Sequence, residues 1–381
     1  MKAHKKNSDE YLTHSMYKRD VGGLPNAIVD IWKTGVEYWG YKYSSSLSLA
    51  GKTKMFMMTN KLLCFVSIML VFLLFGCSTE NATKYISITK TYEENKELKT
   101  DILLHDIQTK DLKKVKTIPY TSQYPLTLYN AQDDKIYYTA LSKDKKGDEI
   151  YELNCKSNKS SQLTNFFIAI NNIFDLGDRL FIAGVKRNGN TLVKPYFYYK
   201  DEQIIKELFV KKDFNICCAS YNTTTNDLYL AGYLSKDEEI AFENQDENGD
   251  SKGIDNYIYK LCGKDFKKIA VKENCYIKSI VSYQENIMIK WGATYFDSPS
   301  KISLIKDNKE ETYPISRKII KRMAQDSLVY LDSDYLYYIN STDDSGGEKY
   351  ELCRYSIKDK SVTVIYRAPN NSAINNAQMT K

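Results

Sequence analysis

"DDKIYYTALSKDKKGDEIYELNCKSNKSSQLT" occupies residues 133–164. It opens on turn-forming Asp133 and Asp134, then runs into β-branched and aromatic residues that alternate between two faces. That is strand chemistry behind a tight turn. With "YPLTLYN" (124–130) ahead of it, the stretch divides into four strand candidates: 124–130, 135–142, 148–155 and 160–164.

The same opening returns along the chain as "GDRLFIAG" (177–184), "NDLYLAGY" (226–233), "QENIMIKW" (284–291) and "SDYLYYIN" (333–340), with "TKYISITK" (83–90) as a first copy. Aligning Ile86, Ile136, Leu180, Leu228, Ile287 and Leu336 gives spacings of 50, 44, 48, 59 and 49 residues. A period near fifty with several strands per period marks a β-propeller. The expected fold is therefore all-β, with six four-stranded blades that bury their faces against one another. The first copy lacks an inner strand, and "SAINNAQMT" (372–380) stands where one is due after the sixth outer strand. The last strand would then close the ring on the first blade; a chain ending partway through a seventh blade is the rival. "SRKIIKRMAQ" (316–325) falls at an inner-strand position and is read as strand.

On these repeats, "DDKIYYT…GDEIYELN…QLT" above all, the chain over about residues 83–380 resembles the TolB-like six-bladed propellers of bacterial exported proteins. The resemblance implies the fold. Propellers host hydrolases, lyases and pure binding platforms alike, so it implies no activity. The sequence departs from TolB in lacking a separate N-terminal α/β domain and in having few glycines per blade, and TolB's envelope partners do not carry over.

Ahead of the repeats, Leu62–Gly76 is a run of 15 uncharged residues behind Lys61. A membrane span wants roughly 20 apolar residues, whereas this length suits the core of a secretory signal. Leu74-Phe75-Gly76-Cys77 resembles the lipobox of bacterial lipoproteins. That resemblance implies cleavage between Gly76 and Cys77 and a diacylglyceryl group on the Cys77 thiol, a two-chain anchor strong enough to hold a protein on a membrane. An uncleaved N-terminal anchor is the alternative. Met55, Met57 and Met58 each offer a start, leaving 1–54 as an upstream extension, 55–76 as signal, 77–82 as lipidated linker and 83–381 as propeller. The expected location is the extracytoplasmic side of the cell membrane.

The whole chain carries a formal charge of +6, but residues 1–76 hold ten Lys or Arg against five Asp or Glu, leaving 44 against 43 beyond them. A domain this close to neutral lacks the basic footprint of a nucleic-acid binder. Seven cysteines follow position 76; without Cys77 an even six remain, so disulfides are allowed. Cys155, Cys262 and Cys353 end similar strands and read as buried small residues at equivalent positions. With no C-x-x-C pair, a structural zinc site is not expected.

One stretch carries a ligand-like pattern. Within "KDEEIAFENQDENGDSKGIDNYIYKL" (236–261), Asp246, Asn248 and Asp250 present oxygens at alternate positions, with Asp255 beyond. Hard cations such as Ca²⁺ take six to eight oxygens, which a turning loop supplies at such spacing. The segment resembles the D-x-N-x-D calcium loops of some TolB-like blades, although Ser251 stands where the loop glycine belongs and Tyr257 where a glutamate would close it. The alternative is a solvated acidic loop joining two strands. "GDSKG" (249–253) matches a nucleophile pattern without a helix behind it, and His105 is the only histidine beyond position 14. His105 reads as a packed or surface strand residue, and no catalytic residue is assigned. The 32 tyrosines are mostly blade packing, with a minority free to stack on sugar or peptide.

The composite expectation is a membrane-anchored binding or interaction module for a protein, peptide or glycan, using the funnel and the loops near 143–148, 235–255 and 341–348. A calcium-dependent lyase or glycosidase built from loop carboxylates is the competing class, and a structural or sensory partner of a membrane protein the third.

Overall fold

A computed structural model describes residues 84–120, 125–189, 191–245, 251–294, 300–307, 309–344 and 347–380. The lipobox lies outside these residues, as do Asp246, Asn248 and Asp250. In chain order the strands are β1 (Tyr85–Glu94), β2 (Glu97–Asp106), β3 (Leu112–Pro119), β4 (Thr127–Asn130), β5 (Lys135–Leu141), β6 (Asp148–Asn154), β7 (Lys159–Gln162) and β8 (Phe167–Asp175). Then come β9 (Arg179–Lys186), β10 (Lys194–Tyr199), β11 (Ile204–Glu207), β12 (Phe214–Asn222), β13 (Asp227–Leu234), helix α1 (Ser235–Glu243), β14 (Ile254–Cys262) and β15 (Asp265–Tyr283). The remainder is β16 (Asn286–Gly292), β17 (Lys301–Lys306), β18 (Lys309–Thr312), helix α2 (Arg317–Arg322), β19 (Met323–Leu331), β20 (Tyr335–Asp344), β21 (Gly347–Ser356), β22 (Val362–Arg367) and β23 (Ser372–Thr380).

Four sheets have four antiparallel strands and one has seven. The long β15 explains the seven: its first part pairs with β14 and its second, from Tyr276, with β16. Split there, the described chain makes six four-stranded units. Each closes its third-to-fourth turn on one left-handed residue, in order Lys110, Asn158, Gln203, Gly263, Asp307 and Lys360. The turns that open the sequence repeats do likewise at Asp134, Gly177, Asn226 and Gln284. Glycine and short polar residues tolerate this conformation best.

A single four-stranded sheet buries neither face, and here each face is buried against the next unit. Six apolar clusters stand between successive units: Leu104 with Ile136, Leu128 with Phe167, Phe181 with Leu228, Ile258 with Ile287, Met288 with Leu336, and Tyr337 with Ile88. The sixth joins the last unit to the first, so the units form a closed ring. Hydrogen bonding closes the ring as well, because β23 pairs with β1 from Tyr85↔Thr380 to Tyr92↔Ser372 and supplies the inner strand the first copy lacks. This ring of sheets is a β-propeller. Tyr337 and Tyr338 point to opposite faces and both are buried, in different clusters.

Three expectations are corrected. Residues 317–322 of "SRKIIKRMAQ" are helical, and the inner strand starts only at Met323. Ile320 is buried between two units, so one helical turn plugs the crossover where a strand would leave it exposed. Residues 235–243 also form a helix, where an acidic loop was expected. Of the three strand-end cysteines only Cys353 is buried; Cys155 is half-buried and Cys262 exposed. Cys262 is the last residue of β14, at the turn that Gly263 makes, and no sheet packs over it.

Candidate ligand-binding channel

The inner strands β4, β8, β12, the second part of β15, β19 and β23 stand around the ring axis. Side chains of a regular strand alternate between the two sheet faces, here both packed. A bulge inserts a residue that belongs to neither face and re-aims its side chain. The inner strands are bulged repeatedly: β8 at Ile168 and again at Asn171, β12 at Cys217, β15 at Lys278 and β23 at Asn375. Ile168 is 48% exposed, Asn171 and Asn375 are exposed, and Cys217 and Lys278 are half-buried. Ile168, Asn171, Lys278 and Asn375 thus sit at bulges on the strands nearest the axis, whereas the Cys217 thiol turns over the sheet and donates to the Ala231 carbonyl oxygen of β13 at 3.3 Å. Asn375 is held by Thr91, whose hydroxyl donates to its Oδ1 at 2.6 Å.

The bulges are permitted by the neighbouring strand. Gly232 pairs with Ile216 beside the β12 bulge, and Gly184 with Ile170 beside the β8 bulges. A Cβ on Gly232 would stand 2.1 Å from the Asn215 carbonyl oxygen, and one on Gly184 2.9 Å from that of Ala169.

The ring has two ends. One, the turn face, carries the first-to-second and third-to-fourth turns; the other, the loop face, carries the second-to-third loops, both helices and the crossovers between units. On the loop face a buried polar side chain of one unit repeatedly ties down the crossover to the next. Glu149 is fully buried, accepts from the backbone N–H of Phe166 and Phe167 at 2.7 and 2.9 Å, and pairs with Arg187 at 2.8 Å. Burial nonetheless pushes its carboxyl above the usual range. Half-buried Lys194, pushed down by desolvation, donates to the carbonyls of Lys212 and Phe214, both at 2.7 Å. Asn256 donates to the Cys275 carbonyl at 2.7 Å, and Lys290 to that of Met323 at 3.1 Å. Asp101 and Glu351 occupy sites matching Glu149, opposite Lys90 and Asn340 where Glu149 faces Ala140. Burial works against the Asp101 charge, but Lys90 at 2.8 Å and the Thr117 hydroxyl at 2.7 Å hold its carboxyl below the usual range. These buried groups hold structure; each has its partners inside the fold.

At the turn face the ends of β4, β8, β12 and β23 surround a cleft of about 140 Å³ lined by Asn130, Asp175, Tyr221, Thr223 and Thr380 among others. Asp175 is occupied by Lys200 and Asn130, both at 2.7 Å. Burial, aided by Asp175 and Asp227, lifts the Tyr221 hydroxyl to about 12, so it stays protonated and donates. Lys84, where the described chain enters, reaches over this end to the Thr224 hydroxyl of the fourth unit at 3.0 Å.

Of the sequence-derived calcium residues only Asp255 is described. It opens the third strand of the fourth unit, and its Oδ1 accepts from the Asn274 N–H at 3.3 Å. No cluster of three or more His, Cys, Asp or Glu able to hold a metal occurs among the described residues. Ser251 of "GDSKG" is buried beside the Tyr276 hydroxyl at 3.4 Å. His105 is buried in β2, far in chain and fold from that serine. Large exposed apolar side chains gather on the loop face: Leu98, Leu141, Ile168, Ile240 and Phe209, the last 79% exposed. The channel amides went unread in the sequence, because a bulge shows only once the register of both strands is known.

No family model matches the chain, and no curated protein matches it. Among solved structures, TolB from Acinetobacter baumannii superimposes with a TM-score of 0.50 at 13% identity, over 83% of this chain and 71% of that one. A nidogen/laminin complex gives 0.45 at 9% identity, over 78% of this chain and 97% of the matched one. The likeness to TolB is one of fold, and with the ring closure it makes this chain a β-propeller.

Proposed function

We propose that this protein is a lipoprotein, tethered through a diacylglyceryl thioether on Cys77 to the extracytoplasmic side of the cell membrane, whose six-bladed propeller binds a protein, peptide or glycan in its channel and loop-face mouth. The observation that carries the reading is the bulged channel wall. Asn171, Asn375 and Lys278 stand on three different inner strands, and all three strands depart from regular pairing at these residues. Amides donate and accept at once, so they suit the repeated carbonyl, amide and hydroxyl groups of an extended peptide or sugar chain. Exposed Ile168 adds apolar contact at the loop-face end of β8.

The tether supports an orientation. Eight peptide steps separate Cys77 from Tyr85, a reach of about 28 Å at full extension. The described chain begins on the turn face, at Lys84, and a tether at that end favours a loop face turned away from the membrane. Labelled palmitate fed to cells tests the anchor: incorporation should vanish in Cys77→Ser, and label retained in that variant refutes it. We also propose Ca²⁺ binding by Asp246, Asn248, Asp250 and Asp255 on the spacing of their oxygens. Asp250→Ala should remove a calcium-dependent rise in melting temperature; a melting curve of the unaltered protein indifferent to chelator refutes it. Ligand arrays probed with the purified full chain test the binding reading.

A further inference from the structure

We infer that Cys217 and Cys218 form a reactive vicinal dithiol on the inner strand β12, a site of thiol–disulfide exchange that closes to a disulfide between neighbouring residues. Successive side chains of a regular strand point to opposite faces and keep their tips apart. Here the β12 register slips between Ile216 and Cys218, and the two sulfur atoms come to 3.8 Å on one side. Cys217 is half-buried, and its thiol donates to the Ala231 carbonyl oxygen of β13 at 3.3 Å; Cys218 is buried. Cys217 is thus the thiol a reagent reaches, and Cys218 the one positioned to resolve the product.

The exchange balances as follows. The Cys217 thiolate attacks one sulfur of a disulfide R–S–S–R, forming a mixed disulfide and expelling one thiolate. The Cys218 thiolate then attacks the Cys217 sulfur and expels the second. Two protein thiols are oxidised, the reagent is reduced to two R–SH, and the two thiol protons end on those products. Adjacent Cα atoms are about 3.8 Å apart, below the usual disulfide range of about 4.4–6.8 Å. A bond closed there is strained and readily reduced, which fits a reversible modification better than a structural staple. Cys275 is the competing partner, since Asn256 contacts both the Cys217 thiol and the Cys275 carbonyl. Cys275 and Cys217 pack in one apolar cluster, but the sulfur contact of 3.8 Å is between the neighbouring pair.

The test treats the purified, reduced full chain with a nitrobenzoate disulfide and reads tryptic peptide masses. The peptide 213–236, which holds both cysteines, should become lighter by two hydrogens and carry no adduct. Cys218→Ser should retain one thionitrobenzoate on Cys217, Cys217→Ser should leave Cys218 unmodified, and Cys275→Ser should behave as the unaltered chain. An adduct persisting on Cys217 of the unaltered chain, or a crosslink from 213–236 to the 273–278 peptide, overturns the inference. The unaltered chain alone decides between these outcomes if a variant fails to fold.

Discussion

Lys84 and Thr224 are 140 residues apart in sequence, yet the lysine ammonium donates to the threonine hydroxyl at 3.0 Å and joins the first unit to the fourth. In a closed ring of six units those two stand opposite one another. The contact therefore carries the start of the described chain over the middle of the turn face.

One consequence concerns orientation. If the proposed anchor holds the protein on a membrane, a cysteine placed at Lys145 on the loop face of a variant with Cys155, Cys217, Cys218, Cys262, Cys275 and Cys353 replaced by serine should react quickly with a bulky maleimide. The same change at Asp201, on a turn of the opposite face, should react several-fold more slowly. Equal rates on membranes, or the reverse order, would contradict an outward-facing loop face; both positions should react alike once the protein is in detergent.

Glu149 gives a stability test. Glu149→Ala would leave the N–H groups of Phe166 and Phe167 and the Thr164 hydroxyl without their acceptor, while Arg187 keeps Asp144 at 2.6 Å. Leaving a buried donor unsatisfied costs about 1–3 kcal/mol. Denaturant titration should show a lower midpoint, with Glu149→Gln losing less because its amide oxygen still accepts.

Gly232 tests the bulge. Its Cβ would fall on the Asn215 carbonyl oxygen, whereas one on Gly177 would meet nothing within 4 Å. Gly232→Ala should cost about 1–3 kcal/mol, the usual range for forced overpacking. Thermal melts that left Gly232→Ala unchanged would show that the inner strand relaxes freely, and with it the channel wall.

His105 predicts a pH dependence. Burial pushes its imidazole below the ordinary 6.5, against a hydrogen bond that the ring donates to the Asp111 backbone carbonyl and against the Asp106 charge, while Arg354 works with the burial. The folded protein then binds the proton more weakly than the unfolded chain. Stability from this group is present above about 6.5 and is lost as pH falls below it. Melting temperatures measured between pH 7 and pH 5 should decline, and more shallowly in His105→Gln.

Much of the ring could be read from residues alone. The turn openers Asp134, Gly177, Asn226 and Gln284 are the left-handed positions themselves, which is why the repeats were recognisable there. "SAINNAQMT" pairs with β1 as its place in the count required. The helices were not legible: α1 is rich in charge and weakly amphipathic, and α2 is six residues long with one buried isoleucine, so neither repeats a helical period often enough to see. Gly184 and Gly232 stood in plain view at the end of "FIAG" and "YLAG", but their role emerges only against the bulge on the strand beside them. The channel residues Asn171, Lys278 and Asn375 share no sequence motif for the same reason.

The most direct measurement is ligand binding by channel variants. On peptide and glycan arrays the full chain should retain a defined set of ligands, and Asn171→Leu or Lys278→Glu, with melting curves and circular dichroism intact, should weaken them at least tenfold. Undiminished binding by both variants, with loss confined to changes on the outer strands β3, β7 or β22, would contradict a binding site at the ring axis.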